Sequence, residues 1–134
     1  MSCKSALYAA MQTPTAVAVD GVIPLGSLIR RYGCDVALNG NTVNITGAGY
    51  YDVDASVTVA PSAVGTVTIT LFKDGVAVPG ATASATAAAA NDALDLNITA
   101  LVRQVCCAAG SALTLVLTGA SATVNNVALR VQRI

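Results

Sequence analysis

Residues 50–59 alternate strictly between two kinds of side chain. Tyr51, Val53, Ala55, Val57 and Val59 hold one set of positions, and Tyr50, Asp52, Asp54, Ser56 and Thr58 hold the other. Successive side chains of an extended chain point to opposite faces, so this stretch has one apolar and one polar face. A strand of this kind persists only where its apolar face is covered by a second layer. The pattern recurs. Val67, Ile69 and Leu71 alternate with Thr66, Thr68 and Thr70; Leu94, Leu96 and Ile98 alternate with Asp95, Asn97 and Thr99. A last strand runs from Thr123 or Val124 to Ile134, with Val127, Leu129 and Val131 opposite Ala128, Arg130 and Gln132.

Turn residues separate these runs. Asn39-Gly40, Asp74-Gly75, Asn91-Asp92 and Thr118-Gly119 each lie between apolar alternations. Asn-Gly and Asp-Gly favour two-residue hairpins because both central residues of such a turn take positive φ. Pro24 lacks an amide donor and suits an edge or a bulge. Residues 81–90 are rich in Ala, Thr and Ser; four alanines in a row cannot nucleate a helix unaided, and the spacing of Thr82, Ser84 and Thr86 predicts a strand followed by a loop. No amphipathic helix separates the strands, which number eight to ten at intervals of about 8–14 residues. The fold expected is an all-β antiparallel sandwich, two sheets packed about 10 Å apart. Residues 1–12 differ in character, and Pro14 stops any helix there from continuing, so 1–12 are read as an N-terminal arm and 13–134 as the domain.

The chain has 134 residues, enough for one domain with a substantial core. Only 10% are charged, where a soluble domain usually carries about a quarter. No apolar run reaches the roughly 18 residues of a membrane helix, and a hydrophobic share of 54% with net charge +0 is the opposite of a disordered composition. The surplus apolar surface therefore points to copies of the same chain as partner. The absence of His and Glu removes the usual proton shuttle and the Ser-His-Asp and Cys-His nucleophile systems, so no enzyme activity is expected. Seven Lys and Arg residues give no footprint for nucleic acid or for an anionic membrane. Cys3, Cys34, Cys106 and Cys107 lack zinc-site spacing, and neither a metal nor another cofactor is expected. Reduced thiols suit synthesis in a bacterial-type cytosol, and no signal peptide is read at Met1–Lys4; a Cys34–Cys106 or Cys34–Cys107 bridge formed after release is the alternative.

Several residues stand out from this background. Asp52 and Asp54 share a strand face, where a solvated polar face explains them better than Ca²⁺ binding or acid–base chemistry. Arg30, Arg31 and Tyr32 form a candidate ligand contact through cation–π or anion recognition, with an intersubunit salt bridge or plain solubility as the simpler reading. Arg103 interrupts an apolar run and calls for a carboxylate partner, for which an Asp of a neighbouring chain would serve. Tyr8, Tyr50 and Tyr51 combine apolar area with a polar tip and suit an interface, although at least one of them is expected in the core. The run Leu113-Thr114-Leu115-Val116-Leu117 is apolar on both faces, as expected where a partner subunit covers a strand, which makes Leu113, Leu115 and Leu117 candidates for a subunit interface together with Tyr50, Tyr51 and Arg103.

Taken in series, Gly49-Tyr50-Tyr51-Asp52-Val53, then Gly65-Thr66-Val67-Thr68-Ile69-Thr70-Leu71 and Asp74-Gly75, resemble the core strands of the tumour necrosis factor/complement globular-head superfamily. The bacterial and phage branch, typified by the C-terminal head of the collagen-like exosporium glycoprotein, is the most similar, over roughly residues 13–134. Ser5–Tyr8 and Arg30–Cys34 are similar to segments of small proteins from phage or prophage regions of Gram-positive bacteria. The resemblance implies a ten-stranded jelly roll assembled as a homotrimer, acting in a surface assembly or in binding. No Gly-X-Y stalk is present, which argues against an exosporium filament. The function expected is a structural protein of the virion surface, a capsid decoration or fibre-head protein held to a capsid or tail protein by its N-terminal arm. A receptor- or host-glycan-binding head using Tyr50, Asn41 and the end loops is the alternative, and a spore-surface location is another.

Overall fold

A computed structural model describes residues 5–105 and 110–134. Among these, eleven strands follow in order: β1 (Ala6–Met11), β2 (Thr15–Val17), β3 (Ser27–Tyr32), β4 (Val36–Asn39), β5 (Thr42–Ile45), β6 (Gly49–Pro61), β7 (Gly65–Lys73), β8 (Val76–Ala87), β9 (Leu94–Gln104), β10 (Ser111–Thr118) and β11 (Ala122–Arg133). They form two antiparallel sheets. The first runs β3-β1-β11-β6-β9, with β2 also paired to β11, and the second runs β4-β5-β10-β7-β8. The expected all-β, two-sheet jelly-roll sandwich is what the chain adopts.

The alternations seen in the sequence become the core. Tyr51, Val53, Ala55, Val57 and Val59 of β6 face Val67, Ile69 and Leu71 of β7 and Leu113, Leu115 and Leu117 of β10 across the interior, all of them buried. At β7–β8, Lys73 pairs with Val76 and leaves Asp74-Gly75 as the two-residue loop. Both have positive φ, 53° and 81°, as a type I′ turn requires. The β4–β5 hairpin departs from expectation. Asn39 pairs with Thr42, so Gly40-Asn41 form the loop and only Gly40 has positive φ. Glycine at the first central position is the type II′ solution.

Two further features differ from the sequence reading. Residues 6–11 are not an arm. They form β1, paired to β11 on one side and β3 on the other, with Leu7, Ala9 and Met11 in the core. Their alternation of small and medium apolar residues is too short to stand out, and only long-range pairing stabilises it. Second, β10 gains a neighbour along its edge that the sequence reading left irregular. Asp20 and Ile23 donate their amides to the Leu117 and Leu115 carbonyls at 2.8 Å, and Val22 bridges Val116, so the irregular 20–23 segment continues the sheet where β5 ends.

The outer face of the second sheet carries hydroxyls in place of charges. Thr66 bonds Thr86 at 2.9 Å, Thr68 bonds Ser84 at 2.7 Å and Thr70 bonds Thr82 at 3.2 Å across β7–β8. Cross-strand hydroxyl pairs of this kind stabilise a sheet by a fraction of a kcal/mol, about 0.2–1 each. They show how a chain so poor in charge keeps a polar surface.

Candidate functional site

The strand register arranges the outer face of the first sheet in rows. One row reads Arg30, Tyr8, Arg130, Asp54, Thr99 from β3 to β9, and the next reads Tyr32, Ala6, Gln132, Asp52, Leu101. Beyond them Tyr50 sits opposite Arg103. Every one of these side chains points away from the core because its strand neighbours point into it. Four large side chains remain in solvent there: Tyr8 (41% exposed), Tyr50 (49%), Leu101 (58%) and Tyr32 (67%). Beside Tyr8, a shallow hollow of about 340 Å³ is lined by Ser56, Thr99, Ala128 and Arg130.

The charges on this face are organised. The Arg130 guanidinium reaches both Asp54 and Asp52, the latter at 3.5 Å, and Thr99 donates its hydroxyl to Asp54. Thr58 donates to Asp95 at 3.0 Å. Asp52 and Asp54 thus form a cation-bridged pair, a geometry unsuited to holding a substrate between two carboxylates. Among the described residues no group of three potential metal ligands converges, and no helix is long and apolar enough to cross a membrane.

Of the residues singled out in the sequence, Tyr50, Arg103, Asp52, Asp54, Arg30 and Tyr32 share this face with Tyr8. Tyr51, Leu113, Leu115 and Leu117 are 0–1% exposed in the protomer core and offer no surface to a partner. Arg30 and Tyr32 project outward beside Tyr8. Arg31 alternates to the other side, where its Nε donates to the Val36 carbonyl at 2.8 Å and ties the edges of the two sheets together. The three residues therefore do not converge on one ligand. Asn41 lies in the β4–β5 turn, at the opposite end of β5 from the loop leading to Tyr50. Cys34 is exposed, whereas Cys106 and Cys107, its expected bridging partners, lie outside the described residues.

One polar cluster had no local signal in the sequence. At the end of the sandwich, Arg133 on β11 pairs with Asp35 at 2.7 Å, both side chains being more than four-fifths buried. Arg133 also donates to the Ala48 carbonyl at 2.5 Å, and its backbone amide donates to the Ser5 carbonyl at 2.8 Å. The Ser5 hydroxyl accepts the Asp35 amide at 3.1 Å, and the Tyr51 hydroxyl donates to the Gly47 carbonyl at 2.6 Å. A Cβ at Gly47 would collide with the Asp35 carboxylate, so only glycine lets the loop pass. These bonds clasp the chain's first described residue, two loops and the last strand.

Burial of Tyr51 pushes its hydroxyl above the ordinary phenol range, and the nearby Asp35 carboxylate adds to the effect while Arg133 opposes it. A folded-state value above the unfolded one contributes stability that is complete below about pH 10 and is lost as pH rises through the folded value. Denaturant unfolding between about pH 9 and 11 is therefore expected to show a steeper loss of stability in the native chain than in Tyr51→Phe. Equal slopes would remove Tyr51 from the alkaline response.

No family model and no curated protein sequence matches the chain. Solved structures do. Eiger TNF from S. frugiperda superposes with a TM-score of 0.72 at 12% identity, covering 100% of this chain and 94% of that one. The globular domain of zebrafish complement 1qA gives 0.68 at 7% identity, with 96% of each chain covered. PRD1 vertex protein P5 gives 0.68 at 13% identity, with 100% and 99% covered. Identities this low speak to architecture alone, and the architecture is that of a TNF/C1q-like jelly roll.

Proposed function

We propose that the chain is a non-enzymatic structural protein of a phage particle, a capsid decoration or fibre-head protein that works as a compact homotrimer on the virion surface. The observation that carries this reading is the outer face of the first sheet, where Tyr8, Tyr32, Tyr50 and Leu101 stand in solvent and Tyr8 borders a shallow hollow. Tyrosine and large aliphatic side chains grouped in this way are the usual anchors of a protein interface. The margin of the same sheet supplies a second surface. β8 and β9 are the outermost strands of their sheets and lie against each other, leaving two long strand edges that a natural protein must cover. A face that receives an edge makes a heterologous contact, which closes as a ring where the rotation between copies is a whole fraction of a turn. Folds of the TNF type typically form homotrimers, and one structural neighbour is a phage vertex protein. The lack of His and Glu, and the bridged state of Asp52 and Asp54, leave no catalytic arrangement among the described residues.

Attachment to a capsid or tail protein remains part of this proposal, but residues 6–11, expected to reach that partner as an arm, are committed to the first sheet. Light scattering at micromolar concentration is expected to give the trimer mass, and Leu101→Arg to give the monomer with unchanged far-ultraviolet circular dichroism. A native chain that stays monomeric would overturn the assembly reading. Absence of the chain from purified particles of a phage that encodes it would overturn the virion role.

A further inference from the structure

The two margins of the first sheet differ in kind. At one, β3 pairs with β1 alone, and all six of its residues are exposed. Tyr32 ends this strand at 67% exposure, the most exposed aromatic ring of the chain. At the other margin β9 lies against β8, the edge strand of the second sheet, and that edge is interrupted. Residues 78–81 of β8 stand against Leu71 alone, between the pairs Thr70–Thr82 and Phe72–Ala77. A bulge of this kind bends a strand and spoils its edge as a template for another strand. Pro79 within it has no amide to donate. A groove of about 490 Å³ lies between β8 and β9 there. Val76, Val78, Pro79 and Leu101 line it with apolar surface, and Val76 is 70% exposed. Lys73, Asp74 and Arg103 line it too, so its charges are mixed in sign and select no partner. The apolar walls remain as the selecting feature.

We infer that Tyr32 of one copy inserts into the β8–β9 groove of the next copy in the ring. The inference rests on the homotrimer reading and names the contact that joins neighbours. The first reason is geometric. A closed ring relates its copies by rotation alone, which keeps every residue at its own height along the axis; an added rise gives an open filament instead. Copies set margin to margin, with their first-sheet faces toward the axis, have that axis along the strands. Residues of one register row then meet residues of the same row in the neighbour. Tyr32 and Leu101 are the two ends of one such row. The second reason is chemical. A tyrosine ring lays flat apolar area against valine, proline and leucine, and its π face attracts a cation such as Lys73 or Arg103. The other exposed tyrosines fit less well. Tyr8 stands one strand in from the margin, in the row that ends at Thr99, and Tyr50 lies beside β9 on the groove's own side. The same register keeps like charges apart, because Arg30 belongs to the Thr99 row and Arg103 to the row on the far side of Leu101.

Photo-cross-linking of the full chain tests this. With Tyr32 replaced by p-benzoylphenylalanine, itself an aromatic residue, irradiation is expected to give covalent oligomers. Their cross-links are expected to map by mass spectrometry to Val76, Val78, Pro79 or Leu101 of a neighbouring copy. Tyr32→Ala and Val76→Asp are each expected to weaken the trimer by about tenfold or more in analytical ultracentrifugation, and Tyr32→Phe to leave it nearly unchanged. Both positions are exposed in the protomer, and circular dichroism checks that each variant folds. A trimer whose cross-links fall only outside the groove, or one that Tyr32→Ala leaves as tight as the native chain, would overturn the insertion while the homotrimer stood. A monomeric native chain would overturn both.

Discussion

Asp35→Ala is expected to lower the stability of the folded protomer by about 2–3 kcal/mol, just under the roughly 3–5 kcal/mol for breaking a fully buried ion pair because this one keeps some solvent contact. The reason is what the substitution leaves behind. Arg133 is 17% exposed at its side chain and loses the carboxylate 2.7 Å from its guanidinium, so a largely desolvated charge loses that compensation. The same change empties the space that Gly47 keeps open and removes the carboxylate beside the Tyr51 hydroxyl. The Asp35 amide and carbonyl remain bonded to Ser5 and Thr46, so the loop keeps its path and the loss reports the charge pair. For a domain of this size the expected fall in melting temperature is about 6–12 °C. Asp52→Asn, on a pair that is 37–50% exposed, is the contrasting case and is expected to shift the protomer's stability by less than about 1 kcal/mol. Thermal unfolding of the two variants side by side checks the pair. A fall for Asp35→Ala no larger than that for Asp52→Asn would show that the clasp is ordinary surface chemistry.

The clasp also shows where sequence reading stops. Strands with clean alternation, such as β6 and β7, are legible because the period of two is a local property that burial then enforces. The Asp-Gly turn is legible for the same reason, since the positive φ that it needs is a local demand. Arg133 and Asp35 stand 98 positions apart, and neither has a neighbour that marks it. Their meeting is decided by sheet order alone. β1 was obscured differently: Leu7, Ala9 and Met11 alternate with Ala6, Tyr8 and Ala10, and small apolar residues on both faces hide the period. The proposed assembly face was hidden by its own polarity. A strand with Asp52 and Asp54 outward reads as solvated, and only the register shows that Tyr8, Tyr50 and Leu101 surround them. At β10, apolar character on both faces suggested an axis, whereas its leucines are buried within the protomer.

Leu115→Ala separates those two readings of β10. Leu115 is 1% exposed between the sheets, so the substitution is expected to cost about 2–5 kcal/mol through lost burial and the cavity left behind. That cost falls on the protomer itself, because the neighbours that lose contact belong to the same chain. If Leu115 instead lay on a threefold axis, the protomer would fold as before and only its association would weaken. Urea unfolding at two protein concentrations distinguishes the cases. A core role lowers stability by a similar amount at both concentrations, including dilutions at which the trimer has dissociated. An interface role abolishes the concentration dependence and leaves the dilute protomer unchanged. Val116→Ala is the internal control: its side chain lies on the outer, partly exposed side of the same strand beside Val22, and its loss is expected to stay near 1 kcal/mol or below. A Leu115→Ala effect confined to association would return β10 to the trimer axis and take the assembly face away from β6 and β9.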